Sequence, residues 1–248
     1  MLQVKNLMVF FENALALNDF SMELDENGFR GVIGSNGAGK TTLMNTLSGL
    51  IIDMKIKEQR RGGERITVMG EITYHGQDIT HLKPSQRVEL GIVLCRERHP
   101  IFPESDVIEN FKIAGYLRSR AELHEGMEFA FELFPNLKAH RKRKAGFLSG
   151  GEQQMVAIGM TLVARPQVLL LDEPLLGLSP LIQRNLIDAV LRIREGKGVT
   201  ILISEQFARP LLPRLDFAYI IESGMLTLSG KGPKLMDNPE VRAAYFGV

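Results

Sequence analysis

The sequence predicts an α/β domain organised around a phosphate-binding loop. Three observations carry this. A glycine loop, Gly34-Ser35-Asn36-Gly37-Ala38-Gly39-Lys40-Thr41-Thr42, lies between a strand-like and a helix-like segment. An apolar run, Val168-Leu169-Leu170-Leu171, ends in the paired carboxylates Asp172 and Glu173. A third segment, Leu148-Ser149-Gly150-Gly151-Glu152-Gln153, heads a stretch with helical apolar spacing. At 248 residues the chain has the length of one large α/β domain, or of one such domain carrying a subdomain.

Taken in order, residues 3–11 and 20–24 are apolar-rich and strand-like, and residues 29–33 form a short strand running into the glycine loop. Residues 41–50 then place Leu43, Met44, Leu47 and Leu50 at helical spacing. Residues 55–65 are charged and contain Gly62-Gly63, which predicts a solvated loop. Residues 68–75 read as a further strand, with Gln77-Asp78 in its turn. From Asp106 to Ala145 the apolar spacing is helical through Val107, Phe111, Tyr116, Phe129, Leu133 and Phe134, broken at Pro135, which predicts a helical subdomain inserted in the α/β core.

Ser149 and Glu152 have capping-box spacing, so a helix carrying Met155, Ile158 and Leu162 starts there and ends before Pro166. The run 168–171 has the composition of a strand buried on both faces of a parallel sheet. Residues 180–194 form another amphipathic helix, with Ser179 as N-cap, Pro180 in the first turn and Gly196 as terminator, and residues 199–204 form the next buried strand. No repeat, low-complexity tract or separating linker interrupts this order.

Composition excludes several classes. A formal charge of +1 lacks the basic footprint of a nucleic-acid binder. One cysteine, Cys95, cannot form an internal disulfide, which fits a reducing cytosol. Lys5, Glu12 and Asp19 interrupt any signal-like N-terminal run. The longest apolar runs fall far short of the ~20 residues needed to cross a bilayer, so any membrane role is expected through a partner. The basic run Lys138-Ala139-His140-Arg141-Lys142-Arg143-Lys144 reads as a solvated face, with an approach to phospholipid headgroups as its alternative.

The chemistry follows from residue type and spacing. Glycines let successive N–H groups curl toward phosphate oxygens, and the following helix adds its positive end. Lys40 is expected on the β- and γ-phosphates and the Thr41 hydroxyl on Mg²⁺. Ligands of open α/β sheets bind at the carboxyl ends of strands, which places Asp172 to hold magnesium through water and Glu173 to act as general base. In isolation that pair would be a helix cap or a solvated acidic pair. Gly150-Gly151 in a first helical turn is costly by propensity, yet backbone clear of side chains at a positive helix end is what an approaching γ-phosphate requires.

The order of these motifs resembles the ABC transporter ATPases over essentially the whole chain. Glu132-Leu133-Phe134-Pro135-Asn136-Leu137, the run from Leu148 to Gly159, Leu171-Asp172-Glu173-Pro174 with Leu176-Gly177-Leu178-Ser179-Pro180, Glu205-Gln206, and Asn238-Pro239-Glu240-Val241-Arg242-Ala243-Ala244-Tyr245 resemble the branched-chain amino-acid importer ATPases. The resemblance implies one nucleotide-binding domain over 1–248: a P-loop NTPase core of RecA-like type with an antiparallel β subdomain and a helical subdomain inserted at about 98–150. It implies ATP and Mg²⁺, with head-to-tail association of a second such ATPase, identical or not, around two ATP. Ser149, Gly150, Gly151 and Glu152 would then close over the partner's nucleotide. It further implies two membrane permeases, fed by a solute-binding protein, and a peripheral place on the cytoplasmic face of the cell membrane.

By position, Phe11 falls where the family stacks an aromatic ring on adenine. Glu97 falls in the loop that senses γ-phosphate and metal and meets the permease, and Gln206 takes the place of the switch histidine. An amide can hydrogen-bond the γ-phosphate or the base but cannot carry an imidazolium charge. Other departures are Leu175 after Glu-Pro, the longer 55–65 connection, the run Arg96-Glu97-Arg98-His99-Pro100, and Pro210 and Pro213 where a helix would continue. Ile101, Phe102 and Phe111 are candidates for a groove receiving permease helices, with core packing as the alternative. Two classes stay open: the motor of a transporter, whether for branched-chain amino acids or for urea, amides or lipid, and an ABC ATPase working without permeases.

Overall fold

The computed structural model describes residues 1–63, 66–98, 100–207 and 209–245. Its elements run β1 (Leu2–Phe11), β2 (Ala14–Leu24), β3 (Phe29–Ile33), α1 (Lys40–Leu47), α2 (Leu50–Arg61), β4 (Ile66–Tyr74), β5 (Gln77–Asp78), α3 (Pro84–Glu89), β6 (Ile92–Cys95), α4 (Val107–Ala114), α5 (Arg120–Leu133), α6 (Pro135–Ala139), α7 (Gly150–Val163), β7 (Val168–Asp172), α8 (Pro180–Lys197), β8 (Thr200–Glu205), β9 (Phe217–Glu222) and β10 (Met225–Gly230), followed by two short C-terminal helices. Among these residues an antiparallel sheet has the order β2-β1-β4-β5 and a six-stranded sheet the order β10-β9-β3-β8-β7-β6. In the second sheet β3, β6, β7, β8 and β9 are parallel, and β10 returns antiparallel at the edge.

Burial explains the layers. β7 and β8 are buried at every position, because helices cover both faces of the parallel sheet. One apolar cluster joins Ile33, Leu169, Leu171 and Ile203 of this sheet to Phe111, Phe131 and Ile158 of α4, α5 and α7. The other joins Val32, Leu170 and Leu202 to Leu43 and Leu47 of α1 and to Leu7, Phe20 and Ile72 of the antiparallel sheet. The glycine loop therefore emerges between two cores, and neither side of it is free to drift.

Arg87 of α3 fastens this arrangement from inside. It is fully buried, and its guanidinium donates to the carbonyls of Thr46 and Leu47 at 2.7 Å, Ile79 at 2.7 Å, Thr80 at 3.0 Å and Leu82 at 3.2 Å. Thr46 and Leu47 close α1, so a cation satisfies the last carbonyls of the helix that starts at the phosphate loop. Burial pulls the Arg87 pKa down to about 10, opposed by the charge of Asp78. Gly49, in the left-handed region at φ 80°, lets the chain pass close by; a Cβ there would lie 2.8 Å from the Leu82 carbonyl and 3.1 Å from Arg87 Nε.

Several boundaries differ from the sequence expectations. The helix expected over 41–50 stops at Leu47, and Ser48-Gly49 separates it from α2. Residues 55–61 are helical rather than a loop. α2 buries Ile51 on one face and exposes its charges on the other, and Gly62 ends it in the left-handed region at φ 69°. Glu64, Arg65 and His99 lie outside the described residues. Gln77-Asp78 is strand β5; the turn is His75-Gly76, both at positive φ (48° and 78°), as a two-residue hairpin of type I′ requires. α8 runs through Gly196 to Lys197 and is capped by left-handed Gly198, and Ser179 occupies the N-cap without a side-chain capping bond. Around the two prolines, Leu212–Arg214 form a single 3₁₀ turn.

Replacing Arg87 by Met is expected to leave buried carbonyls unpaired and to cost about 3 kcal/mol or more. That corresponds to a drop of roughly 6–12 °C in the thermal unfolding midpoint. Arg87→Lys, with three donors in place of five, should recover only part of it; a shift below ~2 °C for Arg87→Met would contradict this role.

Candidate functional site

A cavity of about 350 Å³ opens where β3 hands the chain to α1. The loop contributes Asn36, Gly37, Gly39, Lys40, Thr41 and Thr42 to its wall; Glu97 and Arg98 close it from beyond β6, and Glu173 from beyond β7. Ala16 and Leu176 complete the lining. Gly34 lies beneath: its N–H donates to the Glu205 carbonyl at 3.2 Å, and a Cβ there would collide with the Ile221 carbonyl. Gly39, at φ 104°, packs so closely that a Cβ would lie 2.7 Å from the Ala16 carbonyl. Ser35 and Ala38 close the loop on itself, the Ala38 N–H donating to the Ser35 carbonyl at 3.2 Å.

Lys40 is 3% exposed and Glu173 8%. The ammonium donates to the carbonyls of Gly34 at 2.8 Å and Ser35 at 2.9 Å and pairs with Glu173 Oε1 at 3.0 Å. Its three protons thus have three acceptors. Glu173 is held in the left-handed region at φ 46°, a conformation costing a non-glycine residue ~1 kcal/mol or more, and its N–H is bound by the Ser204 carbonyl and hydroxyl at 3.1 and 3.2 Å.

Asp172 stands one residue earlier, opposite Ser204 in the parallel register, and its Oδ1 accepts from the Ser204 hydroxyl at 2.6 Å. Burial raises its pKa most; hydrogen bonds from Ser204 and Thr41 oppose that, and the charges of Glu173 and Glu97 add to it. Thr41 thus stands close enough to Asp172 to lower its pKa, which brings a hydroxyl of the glycine loop and a carboxylate of β7 to the same corner. Glu97 lies 3.6 Å from Arg98 Nε.

The Ser149 segment stands elsewhere. Ser149 is the N-cap of α7, and its N–H and hydroxyl donate to Glu152 Oε2 at 2.9 and 2.7 Å. The other carboxylate oxygen meets His140 Nδ1 at 3.0 Å. Ser149 and Gly150 face solvent, and Gly151 packs on α8, where a Cβ would lie 3.1 Å from Ile182. None of Ser149, Gly150, Gly151 and Glu152 lines the cavity. Phe11 and Gln206 do not line it either: Phe11 is half-buried against the second core, opposite Ala14 and Ile66, and Gln206 is half-buried just past β8. Of the groove candidates, Phe102 is 47% exposed and Ile101 packs partly on the core, whereas Phe111 is fully buried in it and cannot line a groove.

Ser204 and Glu205 join this cluster without being among the sequence candidates for the site. A signal existed: β8 has the same form as β7, an apolar run followed by polar groups at the carboxyl end of a parallel strand.

The family profile described as ABC transporter matches residues 17–176. The chain is 35% identical over 247 residues to the high-affinity branched-chain amino acid transport ATP-binding protein BraG of Pseudomonas aeruginosa, covering all of both chains. It is 33% identical over 249 residues to the probable branched-chain amino acid transport ATP-binding protein LivF of Archaeoglobus fulgidus, covering 100% of this chain and 99% of that one. Among solved structures, the ADP conformation of MJ1267, an ATP-binding cassette of an ABC transporter, superposes with a TM-score of 0.81 at 26% identity, covering 100% of this chain and 99% of that one. A glycine loop beneath a buried Lys–Glu pair, the fold around it and these likenesses over the full length agree: the chain belongs to the ABC transporter family.

Proposed function

We propose that this chain is the ATP-hydrolysing subunit of an ABC importer, with branched-chain amino acids as the solute class and membrane permeases as its partners. The observation that carries the reading is the convergence of Lys40, Thr41, Asp172 and Glu173 beyond the carboxyl ends of β3 and β7, the two strands that flank β8. The loop N–H groups and the N-terminus of α1 bind the β- and γ-phosphates, and Lys40 adds the charge. Hard oxygen donors suit Mg²⁺, and the hydroxyl–carboxylate pair Thr41 and Asp172, with Glu97 across the cavity, is such a set. When bound, the ion neutralises charge on the β- and γ-oxygens. Phosphate oxygens compete with Glu173 for the Lys40 ammonium, so arrival of ATP frees a Glu173 carboxylate oxygen to take a proton from the attacking water.

The outward-facing start of α7 supports head-to-tail pairing with a second ATPase subunit, in which Ser149, Gly150 and Gly151 meet γ-phosphate across the interface and Glu152 holds Ser149 in place. Phe11 is assigned to adenine and Gln206 to a γ-phosphate hydrogen bond. The helical segment 98–150, with Phe102 exposed, faces the permease in this reading. Among the described residues no helix is long and apolar enough to cross a membrane, so attachment at the cytoplasmic face runs through that contact.

Steady-state ATPase assays test the site. Glu173→Gln should lower kcat by about 10²–10⁴ while ATP still binds, and Lys40→Ala should weaken nucleotide binding itself; wild-type turnover in Glu173→Gln would remove the assignment. Pairing is read by size-exclusion chromatography: Glu173→Gln with Mg-ATP should run as a dimer, and Ser149→Arg added to it should restore the monomer. A Glu173→Gln protein that binds Mg-ATP and stays monomeric counts against the sandwich.

A further inference from the structure

Glu205 is a carboxylic acid placed where none of the steps above uses it. It is 1% exposed, at the last position of β8 and next to Gln206. Its side chain accepts the N–H of Leu175 at 2.7 Å. Its backbone carbonyl accepts the N–H of Gly34 at 3.2 Å. One residue thus ties the entry of the phosphate loop to the segment that follows Glu173.

The tie to Leu175 matters most, because Glu173 cannot hold its own backbone cheaply. It sits at φ 46°, and from there the chain must turn to reach α8 at Pro180. Leu175 is fixed on both sides of its peptide: its N–H goes to Glu205 and its carbonyl accepts from Gln183 Nε2 of α8 at 3.2 Å. Its side chain is buried, so the segment can neither swing into solvent nor hydrogen-bond water instead. Without the Glu205 acceptor, the Leu175 N–H would be a buried donor without its partner. The strained Glu173 would then have one less restraint against relaxing.

We propose that Glu205 is a positioning residue for hydrolysis: its carboxyl oxygen, by holding the Leu175 N–H, keeps Glu173 aimed at the phosphate cavity. The inference rests on Glu173 being the base, as read above. The role needs an acceptor oxygen, not a charge. Burial pushes the Glu205 carboxyl up to about 8, opposed by the Leu175 N–H, raised further by the charge of Glu173, and lowered again by the Gln206 N–H and by Lys40. A proton on Glu205 spares the site a second buried anion competing with Glu173 for Lys40. Glutamine supplies the same carbonyl oxygen without a charge, and leucine fills the space with neither.

The test is steady-state ATPase kinetics of Glu205→Gln and Glu205→Leu, each alone and combined with Glu173→Gln. Glu205→Gln should keep kcat within about threefold, whereas Glu205→Leu should lose about ten- to a hundredfold in kcat with KM for ATP little changed, the usual consequence of misplacing a reacting group by a fraction of an ångström. In the Glu173→Gln background the Glu205→Leu loss should disappear, because the group being positioned is gone. A Glu205→Leu protein with wild-type kcat, a Glu205→Gln protein as impaired as Glu205→Leu, or losses that multiply fully in the double variant would each overturn the proposal. Wild-type turnover in Glu173→Gln alone would instead overturn the reading of the base, and this inference with it.

Discussion

The ammonium of Lys40 bound to the Gly34 and Ser35 carbonyls and to Glu173 is the contact on which the rest of the structure converges. The first two bonds shape the loop from within: the chain wraps around its own lysine, and the glycines are needed because Ile221 and Ala16 leave no room for a Cβ. The third reaches from the start of α1 to the residue that follows the strand ending in Asp172. Two cores hold these strands at fixed separation, one against the antiparallel sheet and one against the helices, and Arg87 anchors the far end of α1. Packing distant from the cavity therefore sets a distance inside it.

Carboxylates of similar chemistry around this ammonium are assigned different tasks by their surroundings. Asp172 is buried, accepts the Ser204 hydroxyl and has the Thr41 hydroxyl beside it. Glu173 faces Lys40 and the cavity. Glu205, shut away from the cavity, meets backbone N–H groups and belongs to the scaffold. Glu97 stands at the rim beside Arg98, part-exposed.

What was legible in the sequence is what depends on short-range rules. The strand and glycine loop before Lys40, the buried run ending at Asp172, and the capping box of Ser149 and Glu152 each follow from neighbours in the chain, and the structure holds them at those residues; the helix after the loop is there too but ends at Leu47. Where local composition misled, a physical reason is visible. α2 looked like a loop because its charges occupy the solvent face of a helix that buries mainly Ile51, and Gly62 is its cap and not the middle of a loop. Gly196 was plausible as a stop, but left-handed Gly198 does that work. The turn at His75-Gly76 puts histidine at positive φ, where Asn or Asp before Gly is the usual hairpin signal. Ser204 and Glu205 gain meaning only through partners some thirty residues away, at Asp172 and Leu175, which no window of sequence reveals.

In the proposed site nucleotide phosphate and Glu173 compete for Lys40, and equilibrium binding of a non-hydrolysable ATP analogue with Mg²⁺ measures that competition without turnover. Replacing the carboxylate by an amide weakens the hydrogen bond that phosphate must displace by about 1 kcal/mol, the difference between charged and neutral acceptors. Glu173→Gln should therefore bind the analogue about fivefold more tightly than the wild-type chain. Weaker binding by Glu173→Gln would show that the Lys40–Glu173 contact supports the phosphate site instead of competing with it.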